Sequence, residues 1–153
     1  MSHIQPSTPE GPAPHAILSS IPSDSHTWNL LFMQLLLSEQ NWSVTNLGPC
    51  VPVEVLRDEA VARQPRLIVI STVNGHGCQD GVRLARTLRA VPALATVPMV
   101  LGGKLDVDGS KAATMTGELR DAGFDEVFVG GSAVTDFLGY LRRMAPATAT
   151  ERT

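Results

Sequence analysis

At 153 residues, with 43% hydrophobic and 18% charged residues, the chain has the length and composition of one soluble globular domain with a proper core. A formal net charge of -3 makes no electrostatic case for nucleic acid or an anionic membrane surface as a partner. The two cysteines, Cys50 and Cys78, are far apart and in no metal-binding spacing, so neither a disulfide framework nor a zinc site is indicated. No apolar run approaches the ~18 residues of a membrane span, and residues 1–15 lack the pattern of a secretion signal. The expected compartment is the cytoplasm.

Residues 1–13 carry three prolines and few apolar residues, which predicts a flexible N-terminal arm. The domain proper is expected over 14–145, with 146–153 a flexible C-terminal tail. A first strand is expected from His15 to Ile21, and the loop Ser23-Asp24-Ser25-His26 follows. A helix from about Thr27 to Gln40, capped by Ser25 or Thr27, comes next. It is apolar nearly all round, which predicts burial on several sides.

A second strand, Trp42 to Leu47, is broken by Gly48-Pro49. A helix from about Pro52 to Arg63 follows, with Pro52 suited to its first turn. The run Leu67 to Ser71 is unbroken and apolar, as a central parallel strand requires. The loop 72–77 leads into a helix from Cys78 to Ala90. A fourth strand, Pro98 to Leu101, is expected to end at Gly102-Gly103. The polar loop 104–109 holds Asp106 and Asp108 and precedes a helix from Ser110 to Ala122, with Gly123 as its C′ residue. The last strand is Glu126 to Val129, and the last helix runs from Ser132 to Met144.

Five strand–helix units imply an α/β fold: a flavodoxin-like, five-stranded parallel sheet, order 2-1-3-4-5, with helices on both faces. Such sheets bind ligands beyond the carboxyl ends of their strands, where strands one and three diverge. The loop with Ser23, Asp24 and His26 lies at that rim, as do Ser71, Gly75, Gly77, Gly102 and Gly103. An Asp and a His two apart can act as a unit. The carboxylate holds one ring nitrogen, and the other is left for a metal or a proton. A surface His and a helix-capping Asp remain the plain alternative.

Gly75-x-Gly77-x-x-x-Gly81 imitates a dinucleotide fingerprint, but it has the wrong spacing and follows the wrong strand. Arg83, Arg86 and Arg89 at i, i+3 and i+6 read as a solvated face. A phosphorylated receiver domain has this architecture too. It needs a carboxylate at the end of strand three, where this chain has Ser71-Thr72.

Asp24-x-His26 after strand one, Ser71 after strand three and Gly102-Gly103 after strand four together resemble the D-x-H-x-x-G, S-x-L and GG pattern of cobalamin-binding domains. Within that family the chain is most similar to the small, cobalamin-binding subunits of glutamate mutase (methylaspartate mutase). The likeness runs from about Ala16 to Leu141 and takes in Asn46-Leu47-Gly48, Gly75, Gly77 and 122–128. It departs at Asn29, where the motif has Gly, and at Val73, where it has Leu.

The resemblance implies adenosylcobalamin as cofactor, with His26 as the axial cobalt ligand in the base-off, His-on mode and Asp24 on its other ring nitrogen. It implies a nucleotide tail in a slot beside Ser71 and Gly102-Gly103, with Ser23, Gly75 and Gly77 also in the cofactor-binding set. It further implies a radical mutase that converts L-glutamate to threo-3-methylaspartate, an isomerase whose substrate site lies on a separate TIM-barrel large subunit. No catalytic residue is expected in this chain, since the cofactor carries the hard chemistry. The alternatives are a non-catalytic corrinoid carrier or sensor module, and an unrelated flavodoxin-like domain binding FMN. A methyl carrier is expected to have a helical domain before the fold, for which the short arm has no room.

Overall fold

The run Leu67–Thr72 is buried at every position and forms the central strand of the sheet, β3. β1 (His15–Ser19) pairs with it on one side and β4 (Met99–Gly103) on the other, while β2 (Ser43–Asn46) and β5 (Glu126–Phe128) form the edges. All pairings are parallel and the order is β2-β1-β3-β4-β5, with Ala16 opposite Leu67 and Ser71 opposite Gly102. This is the expected flavodoxin-like topology. The computed structural model describes residues 12–105 and 110–144. The expected tail at 146–153, most of the expected arm, and the loop aspartates Asp106 and Asp108 lie outside the described residues.

Among the described residues four α-helices connect successive strands, α1 (Trp28–Glu39), α2 (Val53–Arg63), α3 (Gly77–Arg89) and α4 (Ala112–Ala122), and α5 (Ala133–Met144) follows β5. Alternation along the strands divides the core in two. Ile17, Ile68, Ile70, Met99, Leu101 and Val127 pack in one cluster with α2, α3 and α4. Ala16, Leu18, Leu67, Val69, Val100 and Phe128 face the other way and pack with α1 and α5. Phe128 meets Phe137 and Tyr140 of α5 edge-on, with centroids 5.4 and 5.8 Å apart. No described helix is long and apolar enough to cross a membrane.

Several expectations are corrected. α1 is not buried on several sides. Leu30 and Leu37 are buried, but Trp28, Leu31, Phe32 and Leu35 are 46–65% exposed. The helix lies on one face of the sheet, so its outer half has nothing among the described residues to pack against. Neither Ser25 nor Thr27 caps it through a side chain; Thr27 holds the N-cap position with its backbone carbonyl alone. Pro52 stands just before α2, in extended conformation, rather than in its first turn. Gly102 and Gly103 belong to β4 instead of ending it. Gly81 sits in α3 where a Cβ would press on Leu119 and Leu101, so it serves helix packing rather than a phosphate.

Arg89 does not join Arg83 and Arg86 on a solvated face. Its guanidinium donates to the carbonyls of Gly123, Leu94 and Val97 at 2.7–3.0 Å and to Asp125 Oδ2 at 3.0 Å. The same Asp125 oxygen accepts from the N–H of Met99 at 2.8 Å. One side chain thus ties the end of α3 to the segments entering β4 and β5. Arg89→Met leaves these carbonyls without their donor and is expected to lower stability by about 2–3 kcal/mol in urea unfolding.

Candidate functional site

The loop after β1 turns back under itself and buries Asp24 completely. Each oxygen of this carboxylate accepts two hydrogen bonds. Oδ1 takes the N–H of His26 at 2.9 Å and lies 2.7 Å from His26 Nδ1. Oδ2 takes the hydroxyl of Thr72 at 2.7 Å and the N–H of Val73 at 2.8 Å. The backbone carbonyl of Asp24 also accepts, from the N–H of Cys50 at 2.8 Å. The loops leaving β1, β2 and β3 therefore meet at this one residue.

Burial by itself would raise the Asp24 pKa. The four hydrogen bonds outweigh it and bring the carboxyl from 3.8 down to about 2. Asp24 is therefore ionised at neutral pH and can only accept. The hydrogen between it and His26 then sits on Nδ1, which fixes the imidazole tautomer. The His26 side chain is 50% exposed. The structure thus contains the expected Asp–His unit, with Nδ1 held by the carboxylate on a half-exposed side chain.

A cleft of about 260 Å³ opens nearby, between α1 and α5 over the ends of β3 and β4. Its walls are largely apolar: Phe32, Met33, Val69, Val100, Phe128 and Phe137. Ser71, Gly102 and Gly103 line it, as do Trp28 and Asn29 from the first turn of α1. Trp28, two residues after His26, joins the Asp–His loop to the cleft. Gly103 has φ of +133°, and a Cβ there would lie 1.7 Å from the carbonyl oxygen of Thr72. Its glycine is required by the close approach of β3, and it leaves the cleft wall bare as a result.

The remaining candidates do not reach the cleft. Ser23 donates to Asp80 Oδ2 at 2.6 Å, and its carbonyl accepts from Asn74 Nδ2 at 2.8 Å. It joins the β1 loop to the β3 loop. Gly75 has open space around its α-carbon. Gly77 begins α3 against Thr72, and a Cβ there would lie 2.8 Å from Thr72 Cγ2. Gly77→Ala is expected to displace the Thr72 hydroxyl from Asp24 and cost about 1–3 kcal/mol, read by thermal unfolding.

Sequence reasoning missed Thr72 and the backbone of Val73 as supports of Asp24. The only available signal was a polar Thr at the end of an apolar strand. The cleft walls Phe128, Val134 and Phe137 were missed too, since they come from the far end of the chain. Cys78 is buried with its thiol near Glu118. Burial, then this carboxylate, raise its pKa to about 11, which removes it as a nucleophile. Among the described residues no group of three or more His, Cys, Asp or Glu side chains gathers to hold a metal by itself.

Residues 14–131 match the B12 binding domain family. The glutamate mutase sigma subunit of Halobacterium salinarum is 30% identical over 126 residues, which are 80% of this chain and 83% of that protein. Among solved structures, a cobalamin-binding protein from Desulfitobacterium hafniense aligns with a TM-score of 0.72 at 16% identity, over 88% of this chain and 60% of that one. A response regulator from Desulfuromonas acetoxidans aligns at 0.61 and 17% identity, over 86% of this chain and 95% of that one. The likeness to solved structures is thus one of fold alone. The difference from a receiver domain lies in Ser71-Thr72 at the end of β3.

Proposed function

Because the chain belongs to the B12-binding domain family, we propose that it holds adenosylcobalamin for a separate catalytic subunit, as the small subunit of a glutamate mutase-like isomerase. The observation that carries the reading is the Asp24–His26 pair: a buried, ionised carboxylate holding Nδ1 of a half-exposed imidazole. A cobalt corrinoid bound here would be held by His26, whose Nε2 could serve as a ligand to its cobalt.

The apolar cleft fits a displaced nucleotide tail. Gly102 and Gly103 leave its wall without side chains, and Ser71 offers a hydroxyl. Asp24 would hold the His26 ring in one orientation. Thr72 and the N–H of Val73 hold Asp24 in turn. Bound adenosylcobalamin supplies a weak cobalt–carbon bond as a source of radical chemistry; the chain's own residues bind and orient it.

The site contributes one exposed imidazole and one buried carboxylate that is already committed. Asp24 is committed to four hydrogen bonds, and in this reading His26 is committed to cobalt, so neither is left to move a proton on a substrate. The substrate, glutamate in this reading, would therefore be held by the partner, a barrel-type large subunit. The exposed Trp28, Phe32 and Val134 at the cleft mouth offer apolar surface beside the cofactor for such a partner to cover.

A titration of the purified protein with aquacobalamin, followed by visible absorbance, tests the reading. The expected result is saturable binding with the spectrum of a corrinoid that carries a protein nitrogen ligand. No spectral change, with and without a mutase large subunit, would overturn it.

A further inference from the structure

α1 turns an unpartnered apolar face outward. Trp28, Leu31, Phe32 and Leu35 are 46–65% exposed. They fall at i, i+3, i+4 and i+7, so they form one stripe over two turns, opposite the buried Leu30 and Leu37. Single exposed apolar residues are ordinary on a protein surface, as Val55 and Val61 of α2 are. Four large ones side by side are not. No charged residue stands between Thr27 and Ser38, and α1 contains no Lys or Arg. An anionic lipid surface would therefore find no basic group in this helix to hold it.

We infer that this face seats a second copy of the chain, α1 against α1 about a two-fold axis. The four side chains together expose on the order of 500 Å², in the upper part of what a monomer leaves in one patch. Two such faces pressed together remove about 1,000 Å² from water, the least that a specific interface needs. A two-fold pairing sets the patch against its own equal. With no charge in the stripe, neither copy buries a group that the other would have to neutralise. The i, i+3, i+4, i+7 spacing is also that of helices that pack along a shared seam. Leu31 and Leu35 do not line the cleft, whereas Trp28 and Phe32 do. The pairing therefore stands apart from the cofactor reading, and a large subunit over the cleft mouth would meet the second copy at Trp28 and Phe32.

Sedimentation velocity of the purified full chain, without cofactor, tests this over roughly 1 to 200 μM. The wild type is expected to pass from a species of 16.3 kDa to one of twice that mass within the range. The double variant Leu31→Glu, Leu35→Glu sets like charges across the axis. It is expected to weaken pairing at least about a hundredfold and to stay monomeric throughout. The double variant Leu31→Ala, Leu35→Ala, expected to weaken pairing about tenfold or more, serves if the charged one fails to fold. Thermal unfolding shows which variants are folded. A wild type that stays at 16.3 kDa throughout would overturn the inference and leave the face to another protein. A mass that climbs past two copies, or a dimer that survives in a folded variant, would overturn it as well.

Discussion

His26→Ala is expected to weaken the binding of aquacobalamin by at least about a hundredfold. Supporting groups around a metal ligand already account for ~10–100-fold in affinity, and this change removes the ligand itself. The fold should hardly respond. The His26 side chain is half exposed, and among the described residues its only hydrogen bond is to Asp24. Absorbance titration against unchanged thermal unfolding separates the two effects. Equal affinity for variant and wild type would mean that the His26 imidazole plays no part in binding.

Asp24→Ala is expected to cost about 3–5 kcal/mol of stability, because a buried charge with committed donors is being removed. The Thr72 hydroxyl and the N–H groups of Val73 and His26 lose their acceptor together. The same carboxylate sets an acid limit. Its folded pKa of about 2 lies below the value of 3.8 that it has outside the fold. The folded state then binds fewer protons than the unfolded one between those values. The stabilisation is fully present above pH ~4 and is lost as the pH falls through about 2. Its size is roughly 2 kcal/mol. Asp24→Asn should flatten that part of the stability–pH curve, measured by urea unfolding from pH 2 to 5. A curve in the variant that still tracks the wild type would assign the acid limit to other groups.

The fold was largely legible because the strands are short apolar runs separated by helices and glycine or proline breaks. Leu67–Ser71 read as a central strand because its apolar run is unbroken. α1 was legible as a helix but not in its placement. A helix apolar on both halves gives no sign of which half meets the sheet, and Trp28, Leu31, Phe32 and Leu35 proved to be the outer ones. Arg89 was misread because regular spacing says which face a side chain leaves from, not how far a long one can reach.

The Asp24–His26 pair was legible because its geometry is local. Its supports were not. Thr72 lies 48 residues away in sequence and becomes a neighbour only when β1 and β3 pair. Ser23 looked like part of the binding set from its position, yet its hydroxyl is turned to Asp80. Asn29 stood out as a departure from the family motif. That its Oδ1 would be buried without a partner depended on Ser71 taking the other end of the amide.

The central claim is that His26 supplies the cobalt ligand from a site whose other ring nitrogen Asp24 holds. Electron paramagnetic resonance of the protein-bound Co(II) corrinoid, prepared with and without 15N-labelled histidine, tests it most directly. The prediction is that each nitrogen-split line changes from a triplet to a doublet when the histidine is labelled, and that this splitting vanishes in His26→Ala. A triplet that persists with labelled histidine would mean that the nitrogen belongs to the cofactor's own base, and would contradict the account.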